Sequence, residues 1–172
     1  MTDELVVLLD DDLRPASSAA KQVVHSASTP LHLAFSCYVT DAAGRLLMTR
    51  RALTKTAWPG VWTNSCCGHP APDEQIAAAV RRRVRHELGL AISQLRCVLP
   101  DFRYRATDPG GVVENEVCPV FVALAVGEPD PDPTEVMDWR WADWSAVASL
   151  ARGAPWALSP WCVLQLGQLP ER

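Results

Sequence analysis

GHPAPDEQIAAAVRRRVRHELGL, residues 68–90, is the one segment long and regular enough for a full amphipathic helix. Its apolar positions Ile76, Ala77, Val80, Val84 and Leu88 recur at helical spacing, which predicts a helix over about 73–88. Asp73 is the expected N-cap, Glu74 falls in the expected first turn, and Gly89 follows the last periodic residue as a stop. Arg81, Arg82, Arg83 and Arg85 are expected on the remaining faces.

Outward from this helix the pattern changes to short strands punctuated by Gly and Pro. Leu5–Leu9 reads as a strand before an acidic turn, and Ser17 or Ser18 as the cap of a short helix over 19–24. Residues 33–40 and 46–50 form a hairpin through the turn Asp41-Ala-Ala-Gly44, and a Trp- and Gly-rich loop spans 55–72. Strands are expected at 92–99, 101–106, 114–125 and 138–141, with short helices over 144–150 and Pro160–Leu166. Hairpins around one central helix predict an α+β sandwich rather than a doubly wound parallel sheet. At 172 residues with no internal repeat, the expectation is a single domain over 1–172.

Composition narrows the class of function. Hydrophobic residues make up 48% and charged residues 21%, which is too apolar for a disordered chain. The net charge of −4 argues against nucleic acid as a partner. No run approaches the roughly 20 apolar residues of a membrane helix, so no membrane partner is expected. The N-terminus MTDELVVLLDDD places acids around a short apolar run, unlike a secretory signal, and the expected location is cytoplasmic. Six cysteines are then expected as free thiols, with Cys37, Cys97, Cys118 and Cys162 as small core residues. Only Lys21 and Lys55 are lysines against fourteen arginines, so each lysine is worth locating.

The segment from Gly68 through Glu74, Arg82, Val84, Glu87 and Gly89 to Leu90 resembles the box of the Nudix family. That resemblance implies a Nudix-like α/β/α sandwich with a mixed sheet and a central loop–helix–loop, its core at about 30–164. Members of the family hydrolyse diphosphates with metal held by helix glutamates. Here Arg83 stands where the pattern has Glu after its Arg, and His86-Glu87 where it has paired glutamates. Hydrolysis needs several carboxylates to gather Mg²⁺ against an anionic substrate. Arg83 and Glu87, four apart on one face, can bind a diphosphate and one Mg²⁺ but are poorly suited to cutting it.

A second set of groups suits metal chemistry. His25, His32 and His69 offer imidazoles, and Glu114 and Glu116, two apart on an expected strand, share one face. Two carboxylates on one face of an otherwise apolar strand are costly without a cation between them. Imidazole with carboxylate suits Mn²⁺, Zn²⁺ or Fe²⁺. Spacing alone does not bring these residues together.

The stretches LHLAFS, AWPGVWTNS, CGHP, PDFRYRATDP, VENEVCPVF, EVMDW and PWALSPW resemble the type 1 isopentenyl-diphosphate isomerases, relatives of Nudix fold. The resemblance runs from about Lys21 to Trp161. It implies Mn²⁺ or Zn²⁺ on His25, His32, His69, Glu114 and Glu116. It also implies Mg²⁺ with the diphosphate on Glu87, with Cys67 as a further contact. Cys67 and Glu116 are the implied acid–base pair, with Tyr104 beside the carboxylate. Lys21, Arg51, Lys55 and Arg83 are the implied diphosphate ligands, and Trp161 offers a π face to a developing cation. Cys66, next to Cys67, opens the alternatives of a disulfide or of the catalytic role falling on Cys66; the resemblance aligns that role with Cys67, directly before Gly68-His69.

The expected reaction is a 1,3-proton shift interconverting isopentenyl and dimethylallyl diphosphate, within isoprenoid biosynthesis, by a monomer or weak homodimer. Protonating an unactivated alkene passes through a tertiary carbocation-like state, so an acid and a base must face each other across a dry cleft. A metal or cationic group near Cys67 is expected to lower its pKa. The alternatives are a Nudix hydrolase of a nucleotide or prenyl diphosphate, and a non-catalytic diphosphate-binding module. Trp139, Trp141 and Trp144 read as core packing.

Overall fold

A computed structural model describes residues 4–170. In chain order the elements begin with strands β1 (Leu5–Leu9) and β2 (Pro15–Ala20), then a single helical turn α1 (Lys21–Val24). Strands β3 (His32–Leu33), β4 (Phe35–Thr40), β5 (Leu46–Arg51), β6 (Trp62–Thr63) and β7 (Cys66–Gly68) lead into helix α2 (Ile76–Leu88). Strands β8 (Ala91–Leu99), β9 (Arg103–Thr107), β10 (Val113–Val117), β11 (Val120–Val126) and β12 (Val136–Ala142) follow. Helix α3 (Trp144–Gly153), a 3-10 turn at Pro155–Ala157 and helix α4 (Pro160–Leu166) complete the order.

Two long segments that read as continuous strands are each broken, and the breaks organise the molecule. β3 and β4 are separated at Ala34, β10 and β11 at Cys118-Pro119. Proline has no N–H to give a ladder, so the strand ends where Pro119 enters. The two broken strands run parallel side by side, with Glu116 opposite His32 before the break and Val120 opposite Ser36 after it. Bonds from Ala34 N to Val117 O (2.9 Å) and Ser36 N to Pro119 O (3.1 Å) bridge the seam. The first halves join a five-stranded sheet ordered β2-β1-β3-β10-β9. The second halves form the centre of a seven-stranded mixed sheet ordered β12-β5-β4-β11-β8, with β6 on β5 and β7 on β4.

β4 is buried on both faces and divides its side chains by the two-residue period of a strand. Phe35, Cys37 and Val39 pack with Val80, Val84 and Leu88 of α2. Tyr38 points the other way into a cluster with Trp144, Val147, Trp161 and Cys162 of α3 and α4. The result is the expected α/β/α sandwich.

Several local expectations change. α2 starts at Ile76, and Asp73 does not cap it but turns the loop at a positive φ of 64°. Glu74 is not in a helical turn. Its carboxylate accepts from Ala71 N (2.9 Å) and from Arg82 Nε (2.8 Å), tying the loop to the helix. Ala77 is exposed and Ala79 takes its place in the buried stripe, while Arg83 turns inward instead of joining the solvated face. Gly89 does end α2 in the left-handed region, and a Cβ there would lie 2.7 Å from Asp130 O. The helix expected over 19–24 is confined to the single turn Lys21–Val24, because residues 15–20 pair with β1 in a full antiparallel ladder. Ser17 and Ser18 are strand residues and cap nothing. Cys97 lies exposed on the edge strand β8, whereas Cys37, Cys118 and Cys162 are buried. Trp144 is buried, and Trp139 and Trp141 pack against the α2-side core.

Candidate active site and metal centre

The seam between the two sheets concentrates ionisable groups. His25 ends α1, His32 lies in β3, His69 directly follows β7, and Glu114 and Glu116 project from one face of β10. Their rings gather with centroids 5.1–5.5 Å apart. Ligand atoms of His25, His32, His69 and Glu116 all lie within 4.8 Å of one another. Glu116 Oε1 is 3.3 Å from His32 Nε2 and 3.4 Å from His69 Nε2, and Glu114 Oε2 is 3.2 Å from His25 Nε2. Glu114 therefore joins the cluster through His25.

The hydrogen-bond pattern tests whether a cation fits. His32 Nδ1 contacts the carbonyl of Pro30 at 2.9 Å. A carbonyl only accepts, so the proton sits on Nδ1 and the Nε2 lone pair faces the cluster. The Nε2 atoms of all three histidines and Oε2 of Glu114 are buried without a hydrogen-bond partner. Orphaned buried polar atoms are expensive. A divalent ion between them removes that cost, and imidazole nitrogens with a carboxylate are its natural donors.

The electrostatics follow from crowding. Burial favours neutral Glu116, but His32 and His69 override it and hold the carboxyl well below the usual range. Glu114 is pushed up by burial and by the Glu116 charge. Burial draws His69 down to about 4, leaving it a neutral imidazole. Burial works the same way on His32, yet Glu116 outweighs it and raises the pKa.

β7 pairs antiparallel with β4, placing Cys67 opposite Ser36 and Cys66 opposite Cys37. Alternation separates the adjacent cysteines. Cys66 packs into the α2-side core, while Cys67 faces a cavity shared with Glu116, Tyr104 and Trp161. Both thiols are free, so the disulfide alternative does not hold. Burial pushes the Cys67 thiol up to about 11, with the Ser36 hydroxyl pulling the other way. The protein surroundings thus keep the sulfur protonated, while the Arg51 charge pulls in the lowering direction. Tyr104 stands opposite Glu116 in the β9–β10 ladder, and burial keeps its phenol neutral. Trp161 lies against Tyr104 (centroids 5.7 Å) and edge-on to Trp58 (6.1 Å).

The same cavity is lined by Lys21, Arg51, Lys55, Arg83 and Glu87. Lys21 Nζ donates to Glu4 Oε2 at 2.7 Å. Lys55 pairs with Glu135. Arg83 Nε donates to Glu87 Oε1 at 3.1 Å, and its Nη atoms approach Glu4 and Glu135, each at 3.4 Å. Arg51 Nε and Nη2 donate to Ala57 O, and its guanidinium lies 5.6 Å from the Trp161 ring centroid. Burial, with Arg51, Lys21 and Arg83 adding to it against Glu87, draws Lys55 down to about 8. Four cations thus converge beside a single helix carboxylate, Glu87.

Residues 30–162 match the NUDIX domain. The chain is 65% identical over 164 residues to the isopentenyl-diphosphate Delta-isomerase of Frankia alni, covering 95% of this chain and 84% of that protein. The chain belongs to the isopentenyl-diphosphate Delta-isomerase family. Its relative of the same name from Mycolicibacterium vanbaalenii is 61% identical, over 96% of this chain and 91% of that one. The relative from Citrobacter koseri is 54% identical with the same coverage. Among solved structures, a Deinococcus radiodurans protein superposes with a TM-score of 0.71 at 17% identity, over 96% of this chain and 98% of that one. A MutT protein from Methanosarcina mazei superposes at 0.63 and 15% identity, over 81% and 92% of the two chains. These last two matches establish the fold alone.

All residues singled out in the sequence for this family converge on the seam or its cavity. Sequence reading missed Glu4 and Glu135, which neutralise the cations, and Ser36 and Asn64, which contact the Cys67 sulfur. Asn64 and Glu135 stand inside the quoted TNS and EVMDW stretches. No spacing rule marks them: Glu4, Glu135 and Ser36 meet partners distant in sequence, and Asn64 lies three residues from Cys67 in a turn.

Proposed function

We propose that this protein interconverts isopentenyl diphosphate and dimethylallyl diphosphate by a 1,3-proton shift. The carrying observation is that Cys67 and Glu116, from different sheets, line one cavity beside four convergent cations. Lys21, Arg51, Lys55 and Arg83 grip the diphosphate, with Lys21, Lys55 and Arg83 exchanging carboxylate partners, and Arg51 the Ala57 carbonyl, for phosphate oxygens. The prenyl chain then lies between sulfur and carboxylate. One of the two delivers a proton to the terminal alkene carbon while the other removes one from the carbon nearer the diphosphate. In the reverse direction the roles exchange.

Positive charge develops on the tertiary carbon, and the Trp161 ring face lies in the cavity wall to meet it, worth about 2 kcal/mol when desolvated. Tyr104, directly across the ladder from Glu116, orients that carboxylate or relays its proton. Buried aromatic walls exclude water that would otherwise trap the cation as an alcohol.

Mn²⁺ or Zn²⁺ would be held by His25, His32, His69, Glu114 and Glu116, and Mg²⁺ by Glu87 with the substrate diphosphate and a Cys67 contact. When bound, such ions neutralise the carboxylates, fix their orientation and screen the diphosphate charge. The substrate is a small prenyl diphosphate, and the chain acts as a monomer or weak homodimer. Among the described residues no helix is long and apolar enough to cross a membrane, and six free thiols suit a cytoplasmic setting.

Arg83 speaks against hydrolysis. It is buried against Glu87, so the helix presents one carboxylate to the cavity where cleavage needs several. Proton NMR of isopentenyl diphosphate with the protein, Mg²⁺ and Mn²⁺ in D₂O tests the proposal. Deuterated dimethylallyl diphosphate without phosphate release is the expected result. Phosphate release, or unchanged substrate, would overturn it.

A further inference from the structure

Asn64, fully buried in the turn between β6 and β7, has every polar bond assigned. Its amide nitrogen donates both hydrogens to carbonyls, Cys37 O at 3.1 Å and Cys66 O at 3.0 Å. Those acceptors determine which end of the amide is nitrogen, so the side chain cannot turn over. Its Oδ1 then collects three donors: Thr63 Oγ1 at 2.8 Å, Trp161 Nε1 at 3.0 Å and Cys67 Sγ at 3.3 Å. Indole N–H can only donate, and no other acceptor for it is needed.

We infer that Asn64 is a positioning residue, whose single amide oxygen holds the Cys67 thiol and the Trp161 indole in one fixed mutual geometry. The inference rests on the isomerase reading above, in which the sulfur exchanges a proton with substrate and the ring faces the cation. Without a shared tether, those groups would be set independently by a three-residue strand and a seven-residue helix far apart in the sequence.

The surrounding bonds reinforce the tether. Thr63 Oγ1 gives its hydrogen to Asn64, so the 2.7 Å contact with Ser159 is donated by Ser159. Ser159 caps α4 by accepting from Cys162 N, and Ser159 N donates to Trp62 O at 2.9 Å. The start of the Trp161 helix is thereby fastened to the strand that precedes Asn64. On the other side of the sulfur, Ser36 Oγ accepts from Gln165 Nε2 at 2.9 Å. Its hydrogen is left for Cys67 or Cys118, each 3.4 Å away. Cys67 therefore has a fixed acceptor in Asn64, so its proton is aimed rather than free to rotate.

Substitution separates this role from simple support. None of the four phosphate-gripping cations has a hydrogen bond or ion pair to Asn64 among the described contacts. Asn64→Leu, similar in volume, is expected to lower kcat on the order of 100-fold, as a small misplacement of reacting groups does, with KM little changed. A folded Asn64→Leu enzyme with wild-type kcat, or one whose loss lies in KM alone, overturns the inference.

If that variant does not fold, nitrogen-15 tryptophan spectra decide on the otherwise intact protein. Cys67→Ala removes one of three donors from Oδ1, so the Trp161 indole proton is expected to move downfield as its bond tightens. An unmoved resonance overturns the shared tether. That measurement does not depend on turnover, whereas failure of the wild-type protein to isomerise would sink the functional reading instead.

Discussion

Glu116 lies directly opposite His32 where β10 and β3 run parallel, two residues before Cys118 and Ala34 carry both strands across to the other sheet. The metal-ligating cluster therefore sits at the one place where the two sheets share their strands. His32, Glu114 and Glu116 are held by strand ladders, and His25 and His69 sit at the ends of α1 and β7, so a cation meets a preformed cage.

The proposed acid–base pair can be separated from binding. Cys67→Ala and Glu116→Gln are each expected to reduce kcat by about 100-fold or more, the usual worth of a positioned general acid or base. The diphosphate cations remain, so titration calorimetry with the substrate should still show binding. Normal turnover in Cys67→Ala would contradict the role of the sulfur.

Chelation tests the cage. The orphaned Nε2 atoms of His25, His32 and His69 gain partners only when an ion is bound. Exhaustive treatment with a strong chelator is expected to lower Tm on the order of 10 °C, the mass-action effect of losing a tightly held ligand. Mn²⁺ or Zn²⁺ should restore it, and His32→Ala should abolish the restoration. Scanning calorimetry at fixed pH reads both.

The depressed Lys55 amine makes diphosphate affinity depend on pH. Its ordinary value is 10.5 and the folded value about 8, so the ammonium is complete below 8 and lost above it. A bound diphosphate stabilises the ammonium and raises its pKa again. Binding between pH 8 and 10 should therefore take up a proton and weaken as pH rises. Without ligand the sign for stability is opposite to that of a raised group, since the unfolded chain binds more protons between 8 and 10.5 and stability grows with pH there. Calorimetry in buffers of differing ionisation heat measures the uptake, and Lys55→Met should remove it.

Glu135 neutralises the grip in the absence of substrate, touching Lys55 and Arg83. Glu135→Gln is expected to destabilise the ligand-free protein by about 2 kcal/mol, the cost of losing a charged partner in a buried network. Inorganic diphosphate should then raise Tm by more in the variant than in the wild type, because one competing carboxylate is gone. Equal increments would show that Glu135 does not compete with phosphate.

Much of the site was legible before any coordinates. The helical period of Val80, Val84 and Leu88, the stop at Gly89 and the i,i+4 relation of Arg83 and Glu87 are local properties, and all appear as read. The burial of Arg83 was not legible. Whether a charged face turns to solvent or inward depends on the carboxylates waiting there, and Glu4 and Glu135 arrive from 79 and 52 residues away. The upward push of burial on the Cys67 thiol was not legible for a related reason. Neighbouring charges are visible in a motif, but desolvation is a property of the packed interior.

Sequence alone carried the family and the inventory: three histidines, two glutamates two apart on a strand, one thiol beside Gly68-His69, and two lysines. These are matters of residue type and short spacing, which the chain itself specifies. Which strands cross from one sheet to the other, which of two adjacent cysteines faces the cavity, and which oxygen joins a sulfur to an indole were decided only on folding. Each depends on contacts between segments distant in sequence, and such contacts exist only once the sheets have closed around them.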